Sequence, residues 1–449
     1  MFPMLRIALL FLVLIAYGSL YPFDTWSTPA APLFRFLWHW PAVLTRADLV
    51  QNVLAYAPFG LFYALHRLQR APCALAPGPS VLRRTVGAAF LLSLTMESLQ
   101  QFEPARTASL ADIAMNVLGA LAGATLASII EQRGRPATGG WPWRQLHRLH
   151  RWREQRFRSG LLPNIGLAAI ALWALAETSP LAPVFDPAYL ARKLAMLAWQ
   201  VQHPVRIGLA HMLVTACHLV GLGCLLRTLV RPAGAVGHKA AAAPADLLFG
   251  MLLAAIFTVK LVVLGRYLYL AELAGAVLAL GLLYAFRGDG AGRRTVPLRR
   301  NAIRSDAIAG AACLLAGFVI AELQPGRGPY HDFNWVPLAG QLRSLAGMEN
   351  ILELFWPFFA LAYLARLLTA PARRQQVGWL GSLLVLALVF QLEWMQQDLA
   401  GRYGDITQVL LALGGWLLPW SFRGADFAVR ERPRRPAPTE TDRRQPATM

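Results

Sequence analysis

Residues 109–130 read SLADIAMNVLGALAGATLASII. This stretch contains a single ionisable side chain, Asp112, and is mostly Ala, Leu, Ile and Gly. As a helix rising about 1.5 Å per residue it spans the roughly 30 Å hydrocarbon core of a bilayer. Gly119-x-x-x-Gly123 is the spacing by which membrane helices approach closely. Reading outward from it, similar runs occur near 5–20, 48–68, 81–100, 161–178, 207–229, 245–264, 267–286, 306–323, 350–368, 377–395 and 405–420, twelve in all. The 449-residue chain is 56% hydrophobic and only 15% charged. Soluble domains carry about 25% charged residues, so a soluble enzyme and a disordered chain are both excluded. The fold class expected is an all-α polytopic membrane protein of about twelve transmembrane helices.

The net charge of +19 does not indicate nucleic acid, because the basic residues fall in bursts between apolar runs. With a cytoplasmic N-terminus, thirty-two Arg and Lys lie on the inner side and ten on the outer, and Lys260 lies within a run. This bias predicts a bacterial cytoplasmic (inner) membrane protein with both termini inside. The first run lacks a clean small-x-small cleavage site and is expected to be retained. None of Cys73, Cys217, Cys224 and Cys313 falls in an outer loop, so no disulfide framework is expected. Residues 132–160 form a basic linker whose Trp141, Trp143 and Trp152 suit an amphipathic segment on anionic headgroups. Residues 423–449 read as a disordered cytoplasmic tail. Tyr21-Pro22-Phe23 and Trp38-His39-Trp40 read as interfacial aromatic anchors.

The two ends of the chain resemble each other. Glu97-Ser98-Leu99-Gln100-Gln101 precedes Arg106 and Asp112, and Glu393-Trp394-Met395-Gln396-Gln397 precedes Arg402 and Asp405. Asn52 precedes Pro58 much as Asn350 precedes Pro357. The organisation expected is therefore a four-helix unit (1–131), the basic linker (132–160), four central helices with a cytoplasmic loop (161–305), a degenerate repeat of the first unit (306–422) and the tail. Asp48-x-x-x-Asn52, Pro58-x-Gly60 and Glu97-x-x-x-Gln101-x-x-x-x-Arg106-x-x-x-x-x-Asp112-x-x-x-Asn116-x-x-Gly119 give the first unit its character. In that order they resemble the VanZ-like family, named for an accessory protein of teicoplanin resistance. The resemblance implies a short helical membrane unit and a link to glycopeptide tolerance, and it names no reaction. In the second copy Val409 stands where Asn116 would and Phe359 where Gly60 would, which favours the first copy as the active one.

Helical spacing puts Asp48, Asn52 and Tyr56 on one face, and likewise Glu97 with Gln101 and Asp112 with Asn116. In the predicted orientation all three faces lie in the outer half of the membrane, beneath Arg106. Ionisable groups there need partners or water. The expected site is a small polar cavity open to the outside, binding through Asn52, Glu97, Gln101, Arg106, Asp112 and Asn116. Arg106 would meet anionic headgroups, and Glu97 and Asp112 are the candidates for acid–base work. The second-copy counterparts are Asn350, Glu393, Gln397, Arg402 and Asp405. Helix-to-helix glue is the competing reading of the same residues.

Lys260 and Glu272 are expected to form a structural pair. His211 and His218 share a helix face without an acid nearby in sequence, so no metal site is expected, and the residues name no cofactor. The absence of a Walker loop, dinucleotide fingerprint, HExxH or nucleophile elbow leaves three readings. One is an outward-facing site that binds, or also modifies, a lipid-linked or anionic envelope component. The others are a transporter or flippase, and a non-catalytic scaffold. The partners expected are membrane lipids, a lipid-linked envelope precursor and an envelope enzyme, with no nucleic acid.

Overall fold

The computed structural model describes residues 3–20, 26–29, 32–38, 46–70, 78–104, 107–131, 141–179, 184, 186–204, 208–231, 245–286, 296–338, 341, 345–422 and 426–427. The helices are α1 (Pro3–Leu20), α2 (Arg46–Arg70), α3 (Gly78–Gln100), α4 (Leu110–Glu131), α5 (Trp141–Arg156), α6 (Leu161–Thr178) and α7 (Pro187–Gln202). They continue with α8 (Leu209–Leu229), α9 (Ala245–Val262), α10 (Leu270–Ala285), α11 (Val296–Glu322), α12 (Leu345–Leu368), α13 (Arg374–Met395) and α14 (Ile406–Ser421). Among the described residues there is no strand, only the isolated bridges Phe157 to Val230 and Asn334 to Asp405. The protein is an all-α polytopic membrane protein. Seven of its described helices (α4, α6, α8, α9, α11, α12 and α13) are long and apolar enough to cross a bilayer, and α1, α10 and α14 are shorter apolar helices. Each of the twelve apolar runs coincides with a helix, and α5 and α7 are additional to them.

The tightest packing joins α2 to α4. A Cβ on Gly123 would stand 2.0 Å from the Ala57 carbonyl oxygen, one on Gly119 2.3 Å from that of Val53, and one on Gly60 2.2 Å from that of Ala120. Here glycine is required by backbone approach, and the helices cross with almost no side chain between them. Helices α1–α4 enclose two small apolar clusters of their own, around Phe59 and around Leu68. A single larger core runs through α6, α8–α10 and on into α11–α14, so the last quarter packs as one body with the centre.

Polar contacts divide the bundle into two ends. At one end Tyr17 Oη donates to Pro337 O at 2.7 Å, Gln100 Nε2 to Ser19 O at 2.9 Å, and Arg266 bonds Glu353 at 2.9 Å. The opposite end is rich in arginine. There Arg227 pairs with Asp246 at 2.7 Å and Asp306 at 3.7 Å, while Arg366 and Arg374 converge on Asp426. Arg231 ties α5 to α8 by donating to Phe157 O at 2.7 Å.

Helix α5 bears the exposed Leu149 and Trp152 expected of an amphipathic linker. Helix α7 replaces what the sequence reads as an outer loop. Asp186 caps it by accepting from Ala188 N at 2.9 Å, with Pro187 in its first turn. Lys193, 3% exposed, donates to Lys260 O, Leu261 O and Val263 O at 3.0, 3.0 and 2.6 Å. These carbonyls at the C-terminus of α9 have no partner within the helix, so a buried ammonium there meets both their hydrogen bonds and the helix dipole. Gln200 Oε1 accepts from Leu270 N at 3.0 Å, so α7 straps the end of α9 to the start of α10. Its charged pair, Arg192 and Lys193, and its 16-residue length disguise it among longer apolar runs.

Candidate functional site

The predicted cluster in the first quarter assembles in part. Asn52 Nδ2 donates to Asp112 Oδ1 at 2.6 Å, linking α2 to α4. Asn116 Nδ2 donates to Ser93 Oγ at 2.9 Å, linking α4 to α3. Glu97, 3% exposed, accepts from Ser109 N at 2.8 Å, and Ser109 Oγ in turn accepts from Ala111 N at 3.1 Å. Glu97 thus holds the turn that starts α4. Gln101 does not join the cluster, because its Oε1 accepts from Phe34 N at 2.6 Å and fastens the loop after α1. Arg106 and the side chain of Asp48 lie outside the described residues, as do the Tyr21-Pro22-Phe23 and His39-Trp40 anchors.

The last quarter repeats the buried contact of Glu97. Glu393, fully buried, accepts from Asp405 N at 2.9 Å, and Asp405 Oδ1 accepts from Thr407 N at 2.8 Å. In both quarters the acceptor lies twelve residues before a side-chain cap. The geometric partner of Asp405 is therefore Ser109, and the pairing of Asp405 with Asp112 is corrected. In this register Glu97, Gln100, Arg106, Ser109, Asp112 and Gly119 correspond to Glu393, Gln396, Arg402, Asp405, Gln408 and Gly415 without a gap. Asn116 then corresponds to Ala412 rather than Val409. Two capping residues of different type, with a second acid nearby in the first quarter, hid this from sequence spacing.

The side chains differ in what they do. Gln396 Nε2 donates to Glu322 Oε2 at 2.6 Å and to Glu393 Oε1 at 3.1 Å. Arg402 reaches Glu322 Oε2 at 3.0 Å. Asp405 Oδ2 accepts from Gln341 Nε2 at 3.0 Å, while Gln397 turns outward and donates to Trp394 O at 3.1 Å.

Between the central helices and the last quarter lies a cavity of about 570 Å³. Its wall includes Glu177, Lys260, Arg266 and Glu272 from the centre and Glu322, Asn350, Glu353, Arg402 and Gln408 from the last quarter. These residues come from the C-terminal ends of α6, α9 and α11, the N-terminal parts of α10, α12 and α14, and the connections before α10 (Arg266) and α14 (Arg402), so the cavity sits at the arginine-poor end. Lys260, 3% exposed, donates to Glu177 at 2.8 Å and to Glu272 at 3.0 Å, which makes the expected pair a triad. His211 approaches Glu272 at 3.8 Å, so the acid lacking near it in sequence is supplied by α10. His218 stands edge-on to Trp356 at 5.2 Å, and its Nε2 has no hydrogen-bond partner among the described residues. No cluster that would hold a metal ion occurs among the described residues.

Sequence reading singled out Asn350 and Arg402 but did not connect them with Glu177, Glu322, Glu353, Gln396 or Gln408. The available signal was the intramembrane charge at Lys260, which requires partners from other helices. Charged groups at this depth can hold a polar ligand, position it against aromatic walls, or transfer a proton to it.

Residues 5–131 match the family model described as VanZ/LLP1. No curated protein and no solved structure matches the chain.

Proposed function

We propose that this is a multi-pass protein of the bacterial cytoplasmic membrane, with both termini inside, whose cavity faces the exoplasmic side and holds the polar head of an envelope lipid or lipid-linked precursor. One observation carries the reading: a roughly 570 Å³ cavity walled by ion pairs lies at the arginine-poor end of the bundle. Arginine and lysine favour the cytoplasmic side, so that end is the outer one. Charge placed within a membrane bundle is costly and marks ligand paths and sites. Asn52, Asp112, Asn116 and Glu97 serve as a frame that holds α2–α4 together, and the degenerate copy, fused to the central helices, supplies the binding wall. Loss of the protein then lowers glycopeptide tolerance through the envelope component it handles.

Ala321→Trp places an indole in the cavity wall. The expected result is unchanged membrane abundance with loss of the lipid that co-purifies with the wild-type chain, measured by mass spectrometry of the extracted protein. Equal lipid recovery from both proteins would contradict the reading.

A further inference from the structure

We infer that the cavity selects a ligand carrying an organic ammonium group, a deepening that rests on the proposed reading of the cavity as a headgroup site. The chain as a whole carries 43 basic and 24 acidic residues. The cavity wall inverts that balance, with four carboxylates (Glu177, Glu272, Glu322 and Glu353) against three cations (Lys260, Arg266 and Arg402). The cations are committed to protein partners: Lys260 to Glu177 and Glu272, Arg266 to Glu353, and Arg402 to Glu322. An anion entering the cavity would compete with carboxylates already in place. The surplus carboxylate falls on the Lys260 triad, where Glu177 and Glu272 share one ammonium and the imidazole of His211 stands 3.8 Å from Glu272. The cavity is open enough to leave Glu177 about one-third and Glu353 about one-half exposed, so such a surplus favours a cationic guest with partial screening by solvent.

Two further features point to an organic cation. A bound metal would be held by several converging ligands, and no group of three or more His, Cys, Asp or Glu placed to hold one occurs among the described residues. Trp173, Phe257, Phe318, Trp356 and Tyr403 line the same cavity, and aromatic faces attract ammonium groups. An ammonium group meets this lining whether it belongs to a lipid headgroup or to a soluble amine.

The test uses the full chain in nanodiscs and native mass spectrometry. The probes are phosphatidylethanolamine, the same lipid with its amine acetylated, and free ethanolamine. The expected result is about tenfold greater retention of phosphatidylethanolamine than of its acetylated form, a preference erased by Glu177→Gln, which brings the cavity to neutrality. Should Glu177→Gln fail to accumulate, Glu353→Gln lowers the net negative charge of the wall by the same one unit at a half-exposed position, by releasing Arg266. Binding of free ethanolamine without either lipid would uphold the ammonium preference and overturn the headgroup reading. Equal retention of both lipids would overturn the ammonium preference and leave the headgroup reading standing. No binding of any probe would overturn both.

Discussion

Lys260→Met is expected to destabilise the protein by about 3 kcal/mol or more, since removing one partner of a buried ion pair typically costs about 3–5 kcal/mol. The lower end applies because Glu177 is about one-third exposed and retains some hydration, whereas Glu272 is 13% exposed. Methionine fills the volume of the lysine stem, so the loss isolates charge from packing. Removing the charges together should recover much of the loss. The triple change Lys260→Met, Glu177→Gln, Glu272→Gln leaves no unpaired ion in the wall. Thermal denaturation of the solubilised protein should therefore rank wild type above the triple variant and the triple variant above Lys260→Met. A single variant as stable as wild type would mean that the triad is hydrated and contributes little.

Gly123→Val is the second large effect. The first added carbon would stand 2.0 Å from Ala57 O and 2.6 Å from Leu61 N, both backbone atoms of α2. No rotamer relieves such a clash, so α2 and α4 must separate and the Asn52–Asp112 bond at 2.6 Å must stretch. Overpacking costs roughly 1–3 kcal/mol where side chains can adjust, and the upper end or beyond is expected where backbone opposes backbone. The readout is the amount of folded protein in the membrane. Gly87→Ala in α3 is the control, because a Cβ there meets nothing within 4 Å and alanine favours a helix by roughly 1 kcal/mol. Similar abundance of Gly123→Val and Gly87→Ala would contradict the close crossing.

Much of the architecture is legible in the chain because a bilayer imposes one length and one composition on each crossing helix. Hence every apolar run proved to lie in a helix, and Gly119-x-x-x-Gly123 proved to mark a close crossing. Asn52, Asp112 and Asn116 were legible for the same reason, since a polar residue on an apolar helix must point at a partner. What failed did so where meaning depends on distant chain. Glu177 is a single carboxylate at the end of α6, and only the approach of α9 makes it one-third of a triad. Gln101 and Gln100 are neighbours, yet one binds Phe34 N and the other Ser19 O, a difference set by loops rather than helix period. Ser109 and Asp405 occupy the same capping position with different side chains, so matching aspartate to aspartate displaced the register by three residues. Helix α7 escaped because it is anchored by Lys193, which donates to the carbonyls of Lys260, Leu261 and Val263 at the end of α9, and no local pattern announces that contact.

The most direct measurement is the sidedness of the cavity. Tyr403, half exposed, lies in its wall, and Tyr403→Cys in a chain whose four native cysteines are replaced gives a single thiol there. Spheroplasts are treated with a membrane-impermeant maleimide before and after permeabilisation. Full labelling of intact spheroplasts, slowed by added phosphatidylethanolamine headgroup analogue, is the predicted result. Labelling only after permeabilisation would place the cavity in the cytoplasm and contradict an exoplasmic site.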